Sequence, residues 1–207
     1  MPFDNIEKLI NVDSPVNDTA LYTLAMIPTA HLTRLIDKTF ISNLHDKDFM
    51  RLAVLLALKG YQEGGCAIGG VVIDNQSRMI IGKGHNRHAQ ESRVYWHGET
   101  DAINDAGTRT DFSKCTLFTT LTPCSVCTAL TFSQGFSRLV IGNSLDGVNE
   151  ENENLLRSKG VQVDILEDEE GKALYAKYAA EKPEQDTRDW QGEAGVQRML
   201  HAGCNHG

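Results

Sequence analysis

Two short stretches of the chain contain residues that could act together in one chemical site. In the first, VYWHGETDAINDAG (94–107), an imidazole (His97) and a carboxylate (Glu99) lie two residues apart. Two ligands on one face of a helix would be three or four residues apart, and ETDAINDAG has a helical rather than an extended pattern. We therefore expect a junction, with His97 just outside the first turn of a helix and Glu99 just inside it.

The second stretch, TPCSVC, contains Cys124 and Cys127 and follows an apolar run. If Pro123 opens a helix, both sulfurs share one face of its first turn, where free N–H groups and the helix dipole favour thiolates. Two thiolates and one imidazole suit Zn²⁺ and leave the fourth tetrahedral position to water. The candidate zinc ligands are thus His97, Cys124 and Cys127, and Glu99 is the candidate catalytic residue that transfers protons.

Each stretch alone has other interpretations. The cysteine pair could be half of a structural four-cysteine site, although the sequence contains no second Cys-x-x-Cys. It could also be a thioredoxin-like redox pair, which would leave HGE unexplained. His97 could simply cap a helix. A zinc site accounts for both stretches together, and His-x-Glu followed by Pro-Cys-x-x-Cys is typical of zinc nucleobase deaminases, in which the Glu is not a ligand.

The elements that must position these residues alternate along the chain. Strand patterns cover 67–74, 78–86, 115–121, 138–142 and 161–166, with helix patterns at 97–107, from Pro123 to about 134, near 149–159 and from 167 onward. A strongly apolar helix that we expect to pack on a sheet precedes them, with Asp46 or Asp48 as its N-cap and Gly64 and Gly65 as its stop. This alternation predicts an α/β fold with helices on both faces of a sheet.

The first 45 residues precede this alternation. In them we expect a helix after Pro28, over PTAHLTRLIDKTFISNL. We therefore treat residues 1–45 as an N-terminal extension.

Composition narrows the functional class. The chain has 207 residues and a formal net charge of −8, which argues against a nucleic-acid surface. Its N-terminus lacks the pattern of a signal peptide, and its longest apolar run, LAVLLAL, is far shorter than the roughly 20 residues of a membrane span. The five cysteines do not resemble a secreted disulfide framework, and we expect Cys66 and Cys115 to be buried as small hydrophobes. These features predict a cytoplasmic protein that binds neither nucleic acid nor membranes.

From about residue 46 to about 193 the chain resembles the small zinc cytosine deaminases of fungi, within the cytidine deaminase superfamily. The resemblance rests on ALKGYQEGGCAIGG, GKGHN, HGET, LFTTLTPCSVCTAL, RLVIGN and LRSKGVQV, in this order. It implies a three-layer α/β/α fold around a five-stranded mixed sheet, and a homodimer. It also implies zinc-dependent hydrolytic deamination of a free nucleobase, cytosine to uracil and ammonia, in pyrimidine salvage.

The resemblance also implies substrate contacts. Asn86 matches the amide that pairs with the polar edge of the base, although it could instead be a turn residue after a strand. The backbone N–H groups of Gly98 and Cys124 would touch the ring or its carbonyl. Ile68 and Leu121 match apolar pocket walls, and without the resemblance they are ordinary core residues.

The resemblance also implies that the chain after the N-terminal extension divides into a zinc deaminase catalytic domain (46–183) and a C-terminal lid segment and tail (184–207). In the lid segment, it places an aromatic and an acidic residue over the substrate. Trp190 and Glu193 fall at these positions, although Trp190 could instead anchor a terminal helix.

Three features depart from the fungal pattern. Gly147 lies near the position of a Phe that stacks on the base, Glu193 replaces an Asp, and residues 1–45 are additional. Loss of a ring removes about 1–3 kcal/mol of stacking and enlarges the pocket. A larger amino-heterocycle, such as guanine, another purine or a pterin, is therefore an alternative substrate. A nucleic-acid base editor and an inactive zinc-bound subunit are further alternatives.

Overall fold

A five-stranded mixed sheet lies at the centre of the fold. The computed structural model describes residues 9–108, 110–144 and 150–189. The strand order is β2-β1-β3-β4-β5, with β1 antiparallel to both its neighbours and β3, β4 and β5 mutually parallel. The strands are β1 (Gly69–Asp74), β2 (Ile80–His85), β3 (Cys115–Leu121), β4 (Arg138–Asn143) and β5 (Gln162–Ile165). All five predicted strands are confirmed, each within two residues of its expected ends.

Helices precede, connect and follow the strands. In the described residues they are α1 (Asp18–Met26), α2 (Thr29–Leu35), α3 (Lys38–Ser42), α4 (Asp46–Gln62), α5 (His88–Glu91), α6 (Gly98–Ala106), α7 (Ser125–Ser133), α8 (Glu150–Ser158), α9 (Glu169–Glu181) and α10 (Pro183–Asp189). None of them combines the length and the apolar character that crossing a bilayer would require.

Side chains of the central strands alternate between two cores, as the pleat of a strand requires. On β1, Val71 and Ile73 join one core cluster, whereas Val72 joins the other. The first cluster contains residues of α4, such as Phe49, and the second contains residues of α6, such as Ala102. Helices therefore cover both faces of the sheet, and the predicted three-layer α/β/α fold is confirmed.

The segment after Pro28 forms two helices, so the single helix expected there is wrong. α2 ends at Leu35, and Ile36 instead pairs with Ile10 in an isolated parallel bridge. The backbone N–H of Asp37 then donates to the carbonyl of Ile10 (2.8 Å), and its side chain accepts from the backbone N–H of Thr39 (2.7 Å). Asp37 thus caps a new helix, which competes with continuation of the old one.

The N-cap of α4 also differs from the prediction. The cap is His45, not Asp46 or Asp48. Asp48 instead accepts a hydrogen bond from the backbone N–H of His45 (2.8 Å), as the third helical residue does in a capping box. The apolar face of α4 packs on the sheet, as its sequence predicts.

The described part of the N-terminal extension contributes to the main core. Leu24, Leu32 and Ile41 are fully buried in the same cluster as Phe118 of β3. The boundary at residue 45 stays a prediction, but residues on its N-terminal side share a core with the sheet.

A buried lysine connects this extension to β2, which forms an edge of the sheet. The ammonium group of Lys83 donates to the backbone carbonyls of Leu24, Ala25 and Ile27, at the end of α1. Burial lowers the pKa of Lys83 to about 8, so that it is still mainly a cation at neutral pH. A cation at this position satisfies carbonyl groups that a helix end leaves without partners.

We expect Lys83→Met to lower the free energy of unfolding by roughly 2–3 kcal/mol, because it leaves buried carbonyls without a donor. Urea unfolding monitored by circular dichroism measures the change. The control is Lys59→Met, since Lys59 is more exposed and its ion pair with Glu63 on the surface is long at 3.9 Å. This change should alter the free energy of unfolding by less than about 0.5 kcal/mol. Equal stability of the two variants would contradict this role of Lys83.

Candidate active site

The start of α6 holds the first stretch of candidate residues. His97 is the N-cap and Glu99 lies in the first turn, so the predicted junction is confirmed. The hydroxyl oxygen of Thr100 accepts a hydrogen bond from the backbone N–H of His97 (2.9 Å). The helix itself therefore fixes the backbone of both residues.

The glycine between them is explained by a close approach of two backbones. A Cβ atom on Gly98 would lie 3.0 Å from backbone atoms of Gly69 and from the carbonyl oxygen of Ile68. A Cβ on Gly70 would lie 2.7 Å from the carbonyl oxygen of Gly98. The start of α6 thus packs directly against β1, and glycines permit that contact.

The second stretch lies between β3 and α7. The expectation that Pro123 opens a helix is wrong: α7 begins at Ser125, Cys124 is its N-cap, and Cys127 is in its first turn. Pro123 remains in the loop, where its carbonyl accepts from the Asn152 side chain (3.2 Å). Both cysteines still lie at the start of the helix, where unpaired N–H groups favour thiolates.

Residues of α8 hold this loop in place. Glu153 is buried, and its carboxylate accepts from the hydroxyls of Thr122 (2.9 Å) and Ser144 (2.8 Å). With the bond from Asn152 to Pro123, these contacts fix the chain just before Cys124. Hydrogen bonds of this kind, made by the residues behind the ligands, orient the ligands of a metal site.

The two stretches meet at three possible metal-ligand atoms. Nδ1 of His97 lies 3.4 Å from Sγ of Cys124 and 3.4 Å from Sγ of Cys127, and all three atoms lie within 4.8 Å of one another. Zinc bonds of about 2.3 Å to sulfur and about 2.0–2.1 Å to nitrogen give a sulfur–nitrogen separation of about 3.5 Å in a tetrahedron. The three residues therefore fit zinc in both donor type and spacing.

The electrostatics of the group favour metal binding. Hydrogen bonds with Cys127 and with His97 outweigh the opposing effect of burial and together lower the pKa of Cys124 to about 4. The bond with Cys124 and then burial raise the pKa of Cys127 well above its ordinary value. Burial alone would lower the pKa of His97, but the thiolate of Cys124 raises it. At least one sulfur is therefore in the thiolate form that binds metals.

Glu99 lies beside this group, with only 3% of its surface exposed. The hydroxyl of Thr119 is 3.0 Å from its Oε1 atom. Burial and then the thiolate of Cys124 raise the pKa of Glu99, while His97 and Thr119 oppose the rise. A carboxyl group with a raised pKa suits proton transfer near neutral pH.

A narrow cleft, open to solvent, leads to these residues. It is lined by Ile68, Asn86, His97, Glu99, Thr122, Cys124 and Asp189. The Oδ1 atom of Asn86 accepts from the backbone N–H of His88 (3.1 Å), which directs its NH₂ group to other acceptors. The cleft thus combines the candidate metal ligands with a buried acid and an amide donor.

Asp189, at the end of α10, is a cleft residue that the sequence did not reveal. Its side chain is 6% exposed and lies 2.8 Å from Nδ1 of His88, and it accepts from the hydroxyl of Tyr178 (2.7 Å). The C-terminal stretch is rich in charge, and nothing in its pattern distinguishes this acid from its neighbours. In the described residues, the sequence feature related to Asp189 is Tyr178 on α9, an aromatic residue that the structure buries.

The structure brings most of the predicted site residues together. Ile68, Asn86, His97, Glu99 and Cys124 line the cleft, and the fully buried Cys127 lies behind it. Leu121 is buried in a cluster with Tyr175 and Tyr178. Cys66 and Cys115 are buried, as predicted. Three of the residues that the sequence analysis singled out lie outside the described part of the chain: Gly147, Trp190 and Glu193.

Comparison with known proteins identifies the family. Residues 44–143 match the family model described as Cytidine and deoxycytidylate deaminase zinc-binding region. Cytosine deaminase of Candida albicans is 38% identical over 152 residues, which cover 72% of this chain and 97% of that protein. A tRNA-specific adenosine deaminase of Rickettsia bellii is 29% identical over 115 residues, which cover 53% of this chain and 79% of that protein.

Solved structures share the fold. Guanine deaminase from Nitrosomonas europaea superposes with a TM-score of 0.60 at 21% identity, covering 68% of this chain and 90% of its own. The region matched by the family model contains His97, Glu99, Cys124 and Cys127. The chain therefore belongs to the zinc-dependent cytidine deaminase superfamily, as a cytosine deaminase-like member.

Proposed function

We propose that the chain catalyses the hydrolytic deamination of a free nucleobase, cytosine to uracil and ammonia. The observation that carries this proposal is a carboxylate, Glu99, almost fully buried beside the His97, Cys124 and Cys127 group at the end of one cleft. The identity to the Candida albicans cytosine deaminase, over 97% of that protein, supports cytosine as the base. By the same resemblance, we propose a cytoplasmic homodimer that acts in pyrimidine salvage.

The mechanism assigns one task to each residue. His97, Cys124 and Cys127 would hold zinc, which when bound activates water by lowering its pKa from about 15.7 to about 7. Glu99 carries two protons in turn: it accepts the first from the attacking water and delivers it to a ring nitrogen, and it then takes the second from the new C–OH group and delivers it to the leaving amine. The carbon–oxygen bond forms first, as water adds to the ring carbon, and the bond from that carbon to the amine nitrogen breaks afterwards, so cytosine and water give uracil and ammonia.

The walls of the cleft suit a free base. The NH₂ group of Asn86 can donate to a ring carbonyl, while the carboxylate of Asp189 can accept from a ring N–H. A free base carries that N–H, whereas a nucleoside has a sugar there. Ile68 supplies an apolar wall, and Trp190 and Glu193 stay candidate contacts from the C-terminal segment.

An ammonia-release screen tests the substrate. The panel contains cytosine, 5-substituted cytosines, guanine, adenine, cytidine and aminopterins, and we expect turnover of cytosine and not of cytidine. Turnover of bicyclic rings alone would keep the deaminase chemistry but contradict cytosine. Inosine or uridine formed in RNA instead would indicate a nucleic-acid editor, and no ammonia from any compound would refute the proposal.

We expect Glu99→Gln to retain zinc and to lose about 10²-fold to 10⁴-fold in kcat, because the amide cannot accept and return a proton. Elemental analysis and steady-state kinetics on the same preparation measure both quantities. Glu170→Gln is the matched control, since the Glu170 side chain is 61% exposed and pairs with Arg51 far from the cleft. Near-normal turnover by zinc-loaded Glu99→Gln would exclude Glu99 as the proton carrier.

We expect His97→Ala and Cys124→Ala to purify with much less than one zinc per chain, because two protein ligands hold the ion poorly. Cys115→Ala changes a buried cysteine outside the cleft and should keep its zinc. Metal content by elemental analysis after dialysis gives the comparison. A full zinc complement in Cys124→Ala would show that the ion is bound elsewhere.

A further inference from the structure

The connection between β2 and α6, residues 86–97, contains the one-turn helix α5 and joins two parts of the proposed site; we call it the 86–97 loop. It begins with Asn86, the amide that lines the cleft, and ends with His97, the candidate zinc ligand. Two of its residues, Ser92 and Tyr95, have positive φ angles of 52° and 66°. Such conformations are unfavourable for residues other than glycine and persist where surrounding contacts enforce them.

One buried carboxylate joins the two ends of this loop. Asp101, on α6, is 7% exposed. Its Oδ1 atom accepts from the indole N–H of Trp96 (2.8 Å) and from the guanidinium group of Arg87. Its Oδ2 atom accepts from the backbone N–H of His85 (3.1 Å), at the end of β2. Asp101 therefore binds the strand before the loop and both ends of the loop itself.

The two ends of the loop also contact each other. The backbone N–H of Arg87 donates to the carbonyl of Trp96 (2.9 Å), and the Arg87 guanidinium lies 5.0 Å from the centroid of the Trp96 ring. The guanidinium of Arg93 lies 4.5 Å from the same ring. The charge of Asp101 compensates the cation that stacks on the indole, so these groups form one connected network.

This network bears on Asn86 more than on His97. Arg87 lies between Asn86 and His88, and the His88 backbone N–H is the group that orients the Asn86 carboxamide. His97 is held independently by the start of α6 and by Thr100. Release of Arg87 would therefore loosen the amide that faces the substrate and leave the metal ligands in place.

We propose that Asp101 is a positioning residue for substrate binding, which holds the 86–97 loop closed so that the Asn86 carboxamide faces the cleft. The inference rests on the proposed function, because it takes Asn86 as a substrate contact. Asp101 does not itself touch the substrate. A group that acts in this way affects ground-state and transition-state binding alike, and so changes KM more than kcat.

The test compares Asp101→Asn with Asp105→Asn. Both aspartates lie on α6 and accept a backbone N–H from β2, but Asp105 accepts that of Lys83 (2.9 Å) and has no bond to the 86–97 loop. We expect Asp101→Asn to raise KM for the turned-over base about tenfold, with kcat within about twofold and zinc content unchanged. Asp105→Asn should leave KM unchanged.

A readout independent of activity is amide hydrogen exchange. Residues 86–97 should exchange about tenfold faster in Asp101→Asn than in the wild type or in Asp105→Asn, because opening of the loop becomes easier. Unchanged exchange, or faster exchange with an unchanged KM, would overturn the proposal. If the wild type releases no ammonia from any base, the proposed function fails, while the exchange comparison still decides whether Asp101 holds the loop.

A second variant covers the case in which Asp101→Asn does not fold. Trp96→Phe keeps an aromatic ring beside the two guanidinium groups but removes the indole N–H together with the rest of the five-membered ring. It should raise KM about threefold. Where Asp101→Asn does fold, the double variant should have a KM no higher than that of Asp101→Asn alone, because both changes break the same connection. Additive effects, or no effect of Trp96→Phe, would contradict the network.

Discussion

The site depends on two helices that begin at the same place. His97 and Cys124 are the N-cap residues of α6 and α7, and Cys127 lies in the first turn of α7. The unpaired N–H groups and partial positive charge of two helix starts therefore point toward a region that collects thiolates and a carboxylate. Negative groups would repel one another at this density, and the helix starts and a bound divalent cation are what offset that repulsion.

The surrounding polar residues are as buried as the core. Thr119 and Glu153 are almost inaccessible, and each contacts a site residue or the loop that carries one. Burial of such groups is unfavourable unless each finds a partner. Because their partners are the carboxylate of Glu99 and the cysteine loop, the same bonds that make burial tolerable also hold the site in one geometry.

The sequence predicted the features that depend on neighbouring residues along the chain, and it missed the features that depend on contacts between distant residues. The strand and helix patterns follow from periodicity, and His97, Glu99, Cys124 and Cys127 from residue types at helix starts. The break at Ile36 could not be predicted, because it depends on pairing with Ile10, a residue outside any local pattern. Asp189 and Asp101 were missed for the same reason: each is an ordinary acid on a helix until tertiary structure buries it.

The charge around the cleft bears on what can enter it. With zinc bound, the two cysteine thiolates and the ion cancel, which leaves the carboxylates of Glu99 and Asp189 on the walls. A phosphodiester chain that delivered its base to this cleft would bring negative charge toward them, in a protein whose formal net charge is already −8. A neutral heterocycle meets no such cost and can use the acceptor of Asp189 and the donor of Asn86 together. Electrostatics thus supports the proposal of a small free base as substrate, independently of the shape of the cleft.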